Sequence, residues 1–317
     1  MVTILFSAPY MLSALDRFRP VLERYGLDLI TPEVQERLDE GELLKYAGQF
    51  DGAVCGDDHY SQRVLKACSP RLRVISKWGT GIDSIDSDAA ARLGIRVCRT
   101  PNAFTLPVAD SVMGYMLAFA RRQPWMDKAM KAGEWKKLDG RSLSECTLGV
   151  VGVGTIGKTV IRRVHPFGMK LLGNDIIEID HVFLAETGIE MTTLNDLLAR
   201  ADFVSLNCDL NPTSHHLMNK KTLSMMRQNA VLINTARGPI VDEVALVSAL
   251  RNGTIDGAAL DVFEVEPLPL DSPLRRMENV MLAPHNANSS PAAWERVNWN
   301  TIQNLVEGLG LIYRGVE

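Results

Sequence analysis

Cysteine is sparse and unpatterned. Five residues (Cys55, Cys68, Cys98, Cys146 and Cys208) lie far apart, with no CxxC pair among them. The odd count and the wide spacing argue against a disulfide framework or a zinc cluster and point to reduced thiols, so a cytoplasmic protein is expected. No apolar run reaches the ~18 residues that a membrane helix requires. Charge of a single sign is also missing. A formal net charge of −4 gives no basis for nucleic acid or an anionic membrane as partner. Nor does any short-period repeat or low-complexity segment appear.

What remains is an ordinary globular composition, 46% hydrophobic and 23% charged over 317 residues. That length predicts about two domains with sizeable cores. The opening Val2–Phe6 has no basic residue ahead of it, and Asp16, Arg17 and Arg19 follow, so it reads as a first core strand and not as a leader.

Over the first hundred residues, short apolar runs at Val2–Phe6, Leu27–Ile30, Gly52–Cys55, Leu72–Ile75 and Ile95–Val97 alternate with helix-like segments. Strands spaced by helices predict a parallel α/β sheet. Ser87 is the expected cap of a short helix that Gly94 ends. Thr100-Pro101-Asn102 then breaks the pattern. A long helix from about Val108 to Arg121 follows, stopped before Pro124, with Val112, Met116 and Phe119 on one face. Lys131 to Ser144 reads as an exposed arm. A second series begins at Thr147, with strands at Leu148–Val153, Lys170–Asn174, Asp202–Leu206, Ala230–Asn234, Gly257–Leu260 and Val280–Leu282. The chain closes on a helix from about Pro291. The expected fold is α/β, with two doubly wound parallel-sheet domains, the second inserted into the first.

The strand at Leu148–Val153 runs into Gly152-Val153-Gly154-Thr155-Ile156-Gly157 and then a helix. Glycines there let a backbone approach a pyrophosphate, whose charge meets the free N–H groups of the helix start. Asp175 closes the next strand, near the spacing at which an acid holds ribose hydroxyls. Strand, turn, helix and acid together predict an NAD site. NADP is disfavoured, because Asp175 would repel a 2′-phosphate and Ile176-Ile177 offers no arginine to receive one.

Ligands of open parallel sheets bind beyond the carboxyl ends of the strands. Those ends carry Asn207, Cys208 and Asp209; Thr235, Ala236 and Arg237; Asp261 with Glu266 close behind; and His285. Hydride transfer to a 2-oxo acid needs a fixed cation to bind the carboxylate and polarise the carbonyl, which suits the planar fork of Arg237. It also needs a proton donor for the forming alkoxide, which suits His285. A carboxylate beside the imidazole favours its protonated form, and Glu266 is the candidate. Nothing marks a base paired with Cys208, so a structural thiol is expected there, and no metal site is expected at His215-His216.

At these residues the chain resembles the D-isomer-specific 2-hydroxyacid dehydrogenases. The matching stretches are Trp78-Gly79-Thr80-Gly81-Ile82-Asp83, Asn102 through Asp110, Gly152 through Gly157, Asn234 through Gly238, Ala259 through Phe263, Glu266-Pro267 and Pro284-His285. The resemblance implies a Rossmann NAD domain (101–286) inserted into a flavodoxin-like substrate domain (1–100 and 287–317), with a cleft between them. It implies catalytic roles for Arg237, Glu266 and His285. It further implies that Thr155 and Ile156 amides face the pyrophosphate, that Asp261 contacts the nicotinamide carboxamide, and that Thr80 and Gly81 join Arg237 and His285 in holding the substrate. A homodimer through the NAD domain is implied too, which would give the long helix and the arm an interface role. Where the family often has a histidine–small residue–proline run, this chain reads Asn207-Cys208-Asp209, so cofactor contacts there stay open.

The substrate is an expectation of class only: a phosphoglycerate-, hydroxypyruvate- or glyoxylate-type acid. The loop Gly56-Asp57-Asp58-His59 would repel a phosphate unless Lys77 and Arg63 turn inward. Formate enzymes of this fold carry glutamine where this chain has Glu266. The alternative outside catalysis is an NAD-sensing interaction protein resembling corepressors of the same fold. Such a protein should add disordered tails or an exposed apolar groove, whereas this chain is expected to begin and end within folded segments.

Overall fold

A computed structural model describes residues 2–315. The chain divides into two compact units: one runs to Phe104 and resumes at Ser290, and the other is Thr105–Ser289. The first is built on β1 (Val2–Phe6), β2 (Leu27–Ile30), β3 (Gly52–Cys55), β4 (Val74–Lys77) and β5 (Arg96–Cys98), all parallel, in the order β2-β1-β3-β4-β5. The winding reverses between β1 and β3. Both β3 and β4 are buried at every position, as befits strands covered on both faces. The helix Pro291–Gly308 returns to this sheet, where Ser76 Oγ donates to the Thr301 carbonyl at 2.8 Å and Trp78 Nε1 to Asn298 Oδ1 at 2.7 Å.

The second unit holds β6 (Thr147–Val151), β7 (Lys170–Asn174), β8 (Glu190–Met191), β9 (Phe203–Leu206), β10 (Val231–Asn234), β11 (Gly257–Leu260) and β12 (Val280–Leu282). Their order is β12-β11-β10-β9-β6-β7-β8, again wholly parallel, with the reversal between β6 and β9. Alternate side chains feed two cores. Val204, Leu232 and Ala258 face one; Phe203, Ile233 and Ala259 face the other. Each fully buried Leu, Ile or Phe contributes roughly 1.5–3 kcal/mol of transfer free energy. That double-sided burial holds the carboxyl ends of these strands in fixed positions.

Several boundaries differ from the sequence reading. β6 stops at Val151 and leaves Val153 in the turn, because Gly152 takes φ +88° and the Val153 N–H donates to Asp175 Oδ2 at 2.6 Å instead of to the ladder. β4 begins at Val74; Leu72 fills the core ahead of it. The edge strand β8, two residues long and half polar, offers too little apolar period to be read in advance. The long helix is Thr105–Ala120, and Pro124 opens a further helix, Gln123–Lys131, as proline in a first turn does. Asp86, not Ser87, caps the helix Ser87–Arg92, accepting from the Ala89 N–H at 2.8 Å.

The loop after β3 contains a buried acid. Asp58 accepts from Ser7 Oγ through one oxygen and from the Leu38 N–H at 2.8 Å through the other. Burial pushes its carboxyl up to about 6 from an ordinary 3.8, against the opposing pull of those bonds and of Lys77. The fold therefore prefers this group protonated, and its contribution to stability falls as pH rises from about 4 through about 6. Asp58→Asn keeps an acceptor for Leu38 and flattens that fall. Thermal melts across this pH range should show it, with the variant at pH 7 at least as stable as the parent.

Candidate active site

The glycine turn is shaped by its neighbours. A Cβ on Gly152 would lie 2.6 Å from the Cys208 nitrogen, and one on Gly157 would lie 2.1 Å from the Gly152 carbonyl oxygen. Around Gly154 nothing lies within 4 Å of a Cβ, so the turn's outer side is open. Gly154 precedes the helix Thr155–Val164 and supplies no side-chain cap, so the helix's first N–H groups, including those of Thr155 and Ile156, have no acceptor within the helix. Asp175 braces the turn, with Oδ2 on the Val153 N–H and Oδ1 on the Ile177 N–H at 3.1 Å. Beside it, Ile176 and Ile177 are exposed.

Two further atoms at this sheet edge are buried with no partner: Asn207 Oδ1 after β9 and Thr235 Oγ1 after β10. Buried polar atoms are normally hydrogen-bonded. Orphaned groups at the carboxyl ends of two strands, next to an open glycine turn and uncapped amides, fit a dinucleotide. Cys208 follows Asn207, and burial pushes its thiol up to about 11, so it is no nucleophile at neutral pH.

Arg237 stands at the end of a turn built by Asn234, whose Oδ1 accepts from the Ala236 N–H at 3.1 Å and whose Nδ2 donates to the Arg237 carbonyl at 2.9 Å. Its Nη1 donates to the Ala236 carbonyl at 2.8 Å. Glu266 Oε1 accepts from the Phe263 N–H at 2.9 Å, and Oε2 lies 3.1 Å from His285 Nδ1. Both side chains of that pair are largely buried, 16% and 20% exposed. Nδ1 faces the carboxylate, which sets the orientation of the ring.

Asp261 also has a structural task. It is 1% exposed, and its two oxygens accept from the Asn286 and Ala287 N–H groups at 2.8 and 2.9 Å. Its carbonyl accepts from the His285 N–H at 2.7 Å. Burial raises its carboxyl despite these bonds. Asp261 is thus the anchor of the loop that carries His285, whose φ of +51° needs such support.

In the first unit, Thr80 and Gly81 follow β4 at the carboxyl edge of their own sheet. Thr80 Oγ1 donates to the Thr100 carbonyl at 2.8 Å, while the Thr100 N–H donates to the Gly79 carbonyl at 2.8 Å. The Thr80 hydroxyl is therefore committed to the loop itself. His216, at which no metal site was expected, turns its imidazole to Glu264.

A doubly wound sheet with a dinucleotide turn on its switch strand, and an arginine, glutamate and histidine at the same edge, defines an NAD-dependent dehydrogenase. The chain belongs to the D-isomer specific 2-hydroxyacid dehydrogenase family, whose NAD binding domain matches residues 113–287. Enzymes of this family pass a hydride between NAD(H) and 2-hydroxy or 2-oxo acids, and so does this one. It is similar to a glyoxylate reductase of Thermofilum pendens, 40% identical over 272 residues that make up 84% of this chain and 80% of that one. A D-3-phosphoglycerate dehydrogenase of Methanocaldococcus jannaschii is 38% identical over 92% of this chain and 55% of its own length. Among solved structures, D-lactate dehydrogenase from Aquifex aeolicus, complexed with NAD and lactic acid, superposes with a TM-score of 0.83 at 27% identity, covering 99% of this chain and 100% of that one.

Proposed function

We propose that this chain reduces a small unphosphorylated 2-oxo acid, glyoxylate or hydroxypyruvate, with Arg237, Glu266 and His285 as its catalytic residues. The observation that carries the reading is the His285–Glu266 pair, 3.1 Å apart, at the strand edge that also bears Arg237 and the glycine turn. Bound NADH supplies the hydride. Arg237 binds the carboxylate and draws electron density toward the carbonyl oxygen. His285 holds the proton at Nε2 and delivers it to that oxygen as the alkoxide forms, while Glu266 fixes the ring through Nδ1. Gly152, Gly154, Thr155, Ile156 and Gly157 are assigned to the pyrophosphate, Asp175 to the ribose, and Asn207, Thr235 and Ala236 to the nicotinamide half.

The bias against a phosphate rests on cations already engaged. Lys77 Nζ lies 3.0 Å from Asp57 Oδ1 and donates to the Trp78 carbonyl at 3.0 Å, with its side chain 5% exposed. Arg63 points outward to Glu40 at 3.8 Å. Of the two loop acids, Asp58 is withdrawn into the core and Asp57 is paired with Lys77, so neither Lys77 nor Arg63 is turned to receive a phosphate. The relative from Thermofilum pendens supports the same choice.

The assembly we propose is a homodimer through the NAD-binding unit, with helix Thr105–Ala120 and the following arm at the contact; Trp135 on that arm is 87% exposed. A cytoplasmic setting is proposed from the free cysteines, and among the described residues no helix is long and apolar enough to cross a membrane.

The test follows NADH absorbance with glyoxylate, hydroxypyruvate and phosphohydroxypyruvate. One uncompensated interaction of about 1 kcal/mol gives kcat/KM about fivefold lower on the phosphorylated acid. A preference for that acid overturns the substrate assignment, and no turnover on any of the three overturns the function.

A further inference from the structure

Arg237 and Glu266 sit on separate loops, and a third segment holds both. The backbone of the 216–219 segment is strapped to the chain just beyond Arg237: the His216 N–H donates to the Pro239 carbonyl at 2.8 Å, the Met218 N–H to the Ile240 carbonyl at 3.0 Å, and the Asp242 N–H to the Met218 carbonyl at 2.9 Å. From the same residue the His216 imidazole reaches the other loop, with Nε2 2.5 Å from Glu264 Oε1, two residues before Glu266. His216 takes φ +48°, a left-handed conformation uncommon outside glycine and costly unless its surroundings enforce it. Asn219 Nδ2 holds its carbonyl at 2.9 Å.

The two loops also press on each other directly. A Cβ on Gly238 would fall 1.9 Å from the Phe263 carbonyl carbon and 2.5 Å from the Glu264 nitrogen, so the backbone after Arg237 lies flat on the backbone leading to Glu266. Glu264 and Glu243 complete the junction. The Glu264 N–H donates to Glu243 Oε1 at 2.6 Å, and the Glu243 N–H to Glu264 Oε2 at 3.4 Å. Burial, with the charges of Glu264 and Glu266 added, raises the Glu243 carboxyl.

We propose that His216 is a positioning residue of the reaction: through its backbone and its imidazole it locks the Arg237 loop to the Glu266 loop, and so sets the spacing between the carboxylate-binding fork and the Glu266–His285 pair. The proposal rests on the catalytic roles assigned above. His216 touches neither the substrate nor the reacting atoms. A misplacement of about 1 Å costs up to about 100-fold in rate, so the effect falls on kcat and spares cofactor affinity.

The test uses the intact protein with His216→Asn, which tolerates the left-handed backbone but cannot reach Glu264, and His216→Gln, which restores a donor of greater reach. Hydrogen exchange should quicken about tenfold in peptides covering 238–242 and 262–267 of His216→Asn, as expected for one lost hydrogen bond, and stay unchanged at the glycine turn. With glyoxylate, kcat should fall about 10- to 100-fold while NADH affinity, read by fluorescence titration, stays within about twofold. His216→Gln should recover most of both. Adding Glu264→Gln to His216→Asn should cost little more, since one contact is removed only once. Unchanged exchange in either loop overturns the proposal, as does faster exchange spread equally to the glycine turn. If the parent enzyme turns over none of the acids, the catalytic assignment fails, and the exchange result alone still decides whether His216 joins the loops.

Discussion

His285→Ala lowers kcat by about 10²–10⁴-fold, the range for loss of a positioned general acid, and leaves NADH binding nearly intact. The split between these two readouts is the informative part. His285 Nδ1 is committed to Glu266 at 3.1 Å, and in the mechanism we propose the ring acts through Nε2 in the step in which charge builds on the substrate oxygen. The amides and glycines assigned to the dinucleotide lie on other loops. Because His285 takes φ +51°, alanine there loses both the acid and a residue type suited to that backbone. His285→Asn separates the two effects, since asparagine tolerates the left-handed region. It should match the alanine variant in kcat and melt closer to the parent. Glu266→Gln should cost less than either, because its amide oxygen still accepts from Nδ1 or from the Phe263 N–H, though not with a full charge. Steady-state rates on glyoxylate with a parallel NADH titration check the series. Undiminished turnover in His285→Asn would remove histidine from the mechanism.

Much of this site was legible because the rules that place it act locally. Apolar runs of the length of β9, β10 and β11 read as strands buried on both faces, and Asn207, Arg237 and Asp261 each follow within three residues of a strand's end, so they could be set at one sheet edge from spacing alone. The glycine turn was legible for the same reason: a buried strand, a break and a helix are adjacent in sequence. What could not be read came from contacts across long separations. Asp261 looks like one more acid at a strand end until the loop 25 residues on folds back onto its carboxylate. Asp58 reads as a loop acid, and only its bonds to Ser7 and Leu38, 51 and 20 residues away, show it to be interior. The partner of His216 could not be read, since Glu264 lies 48 residues downstream in a stretch with no regular period. Even the cap at Asp86 in place of Ser87 was a choice between two good capping residues that only the backbone angle decides.

Gly152→Ala is expected to abolish useful cofactor binding and to unsettle the fold around it. Gly152 takes φ +88°, and the methyl group would meet the Cys208 nitrogen at 2.6 Å and the Asn207 carbonyl carbon at 2.7 Å. These are main-chain atoms, pinned by the Asn207 N–H on the Val151 carbonyl at 2.7 Å, so they cannot swing aside as a side chain would. The conformational strain alone is about 1–3 kcal/mol. Spread into a turn that must also meet a ligand, that weakens NADH binding by roughly 10- to 100-fold and lowers Tm by roughly 3–10 °C. Gly154→Ala supplies the contrast. No atom lies within 4 Å of a Cβ there, so the protein without cofactor should melt as the parent does. In the assignment we propose, that open side is where the pyrophosphate approaches the helix amides, so NADH affinity should still fall. Fluorescence titration with thermal melts of the cofactor-free protein distinguishes the two. If Gly154→Ala binds NADH as the parent does, the dinucleotide does not pass over this turn.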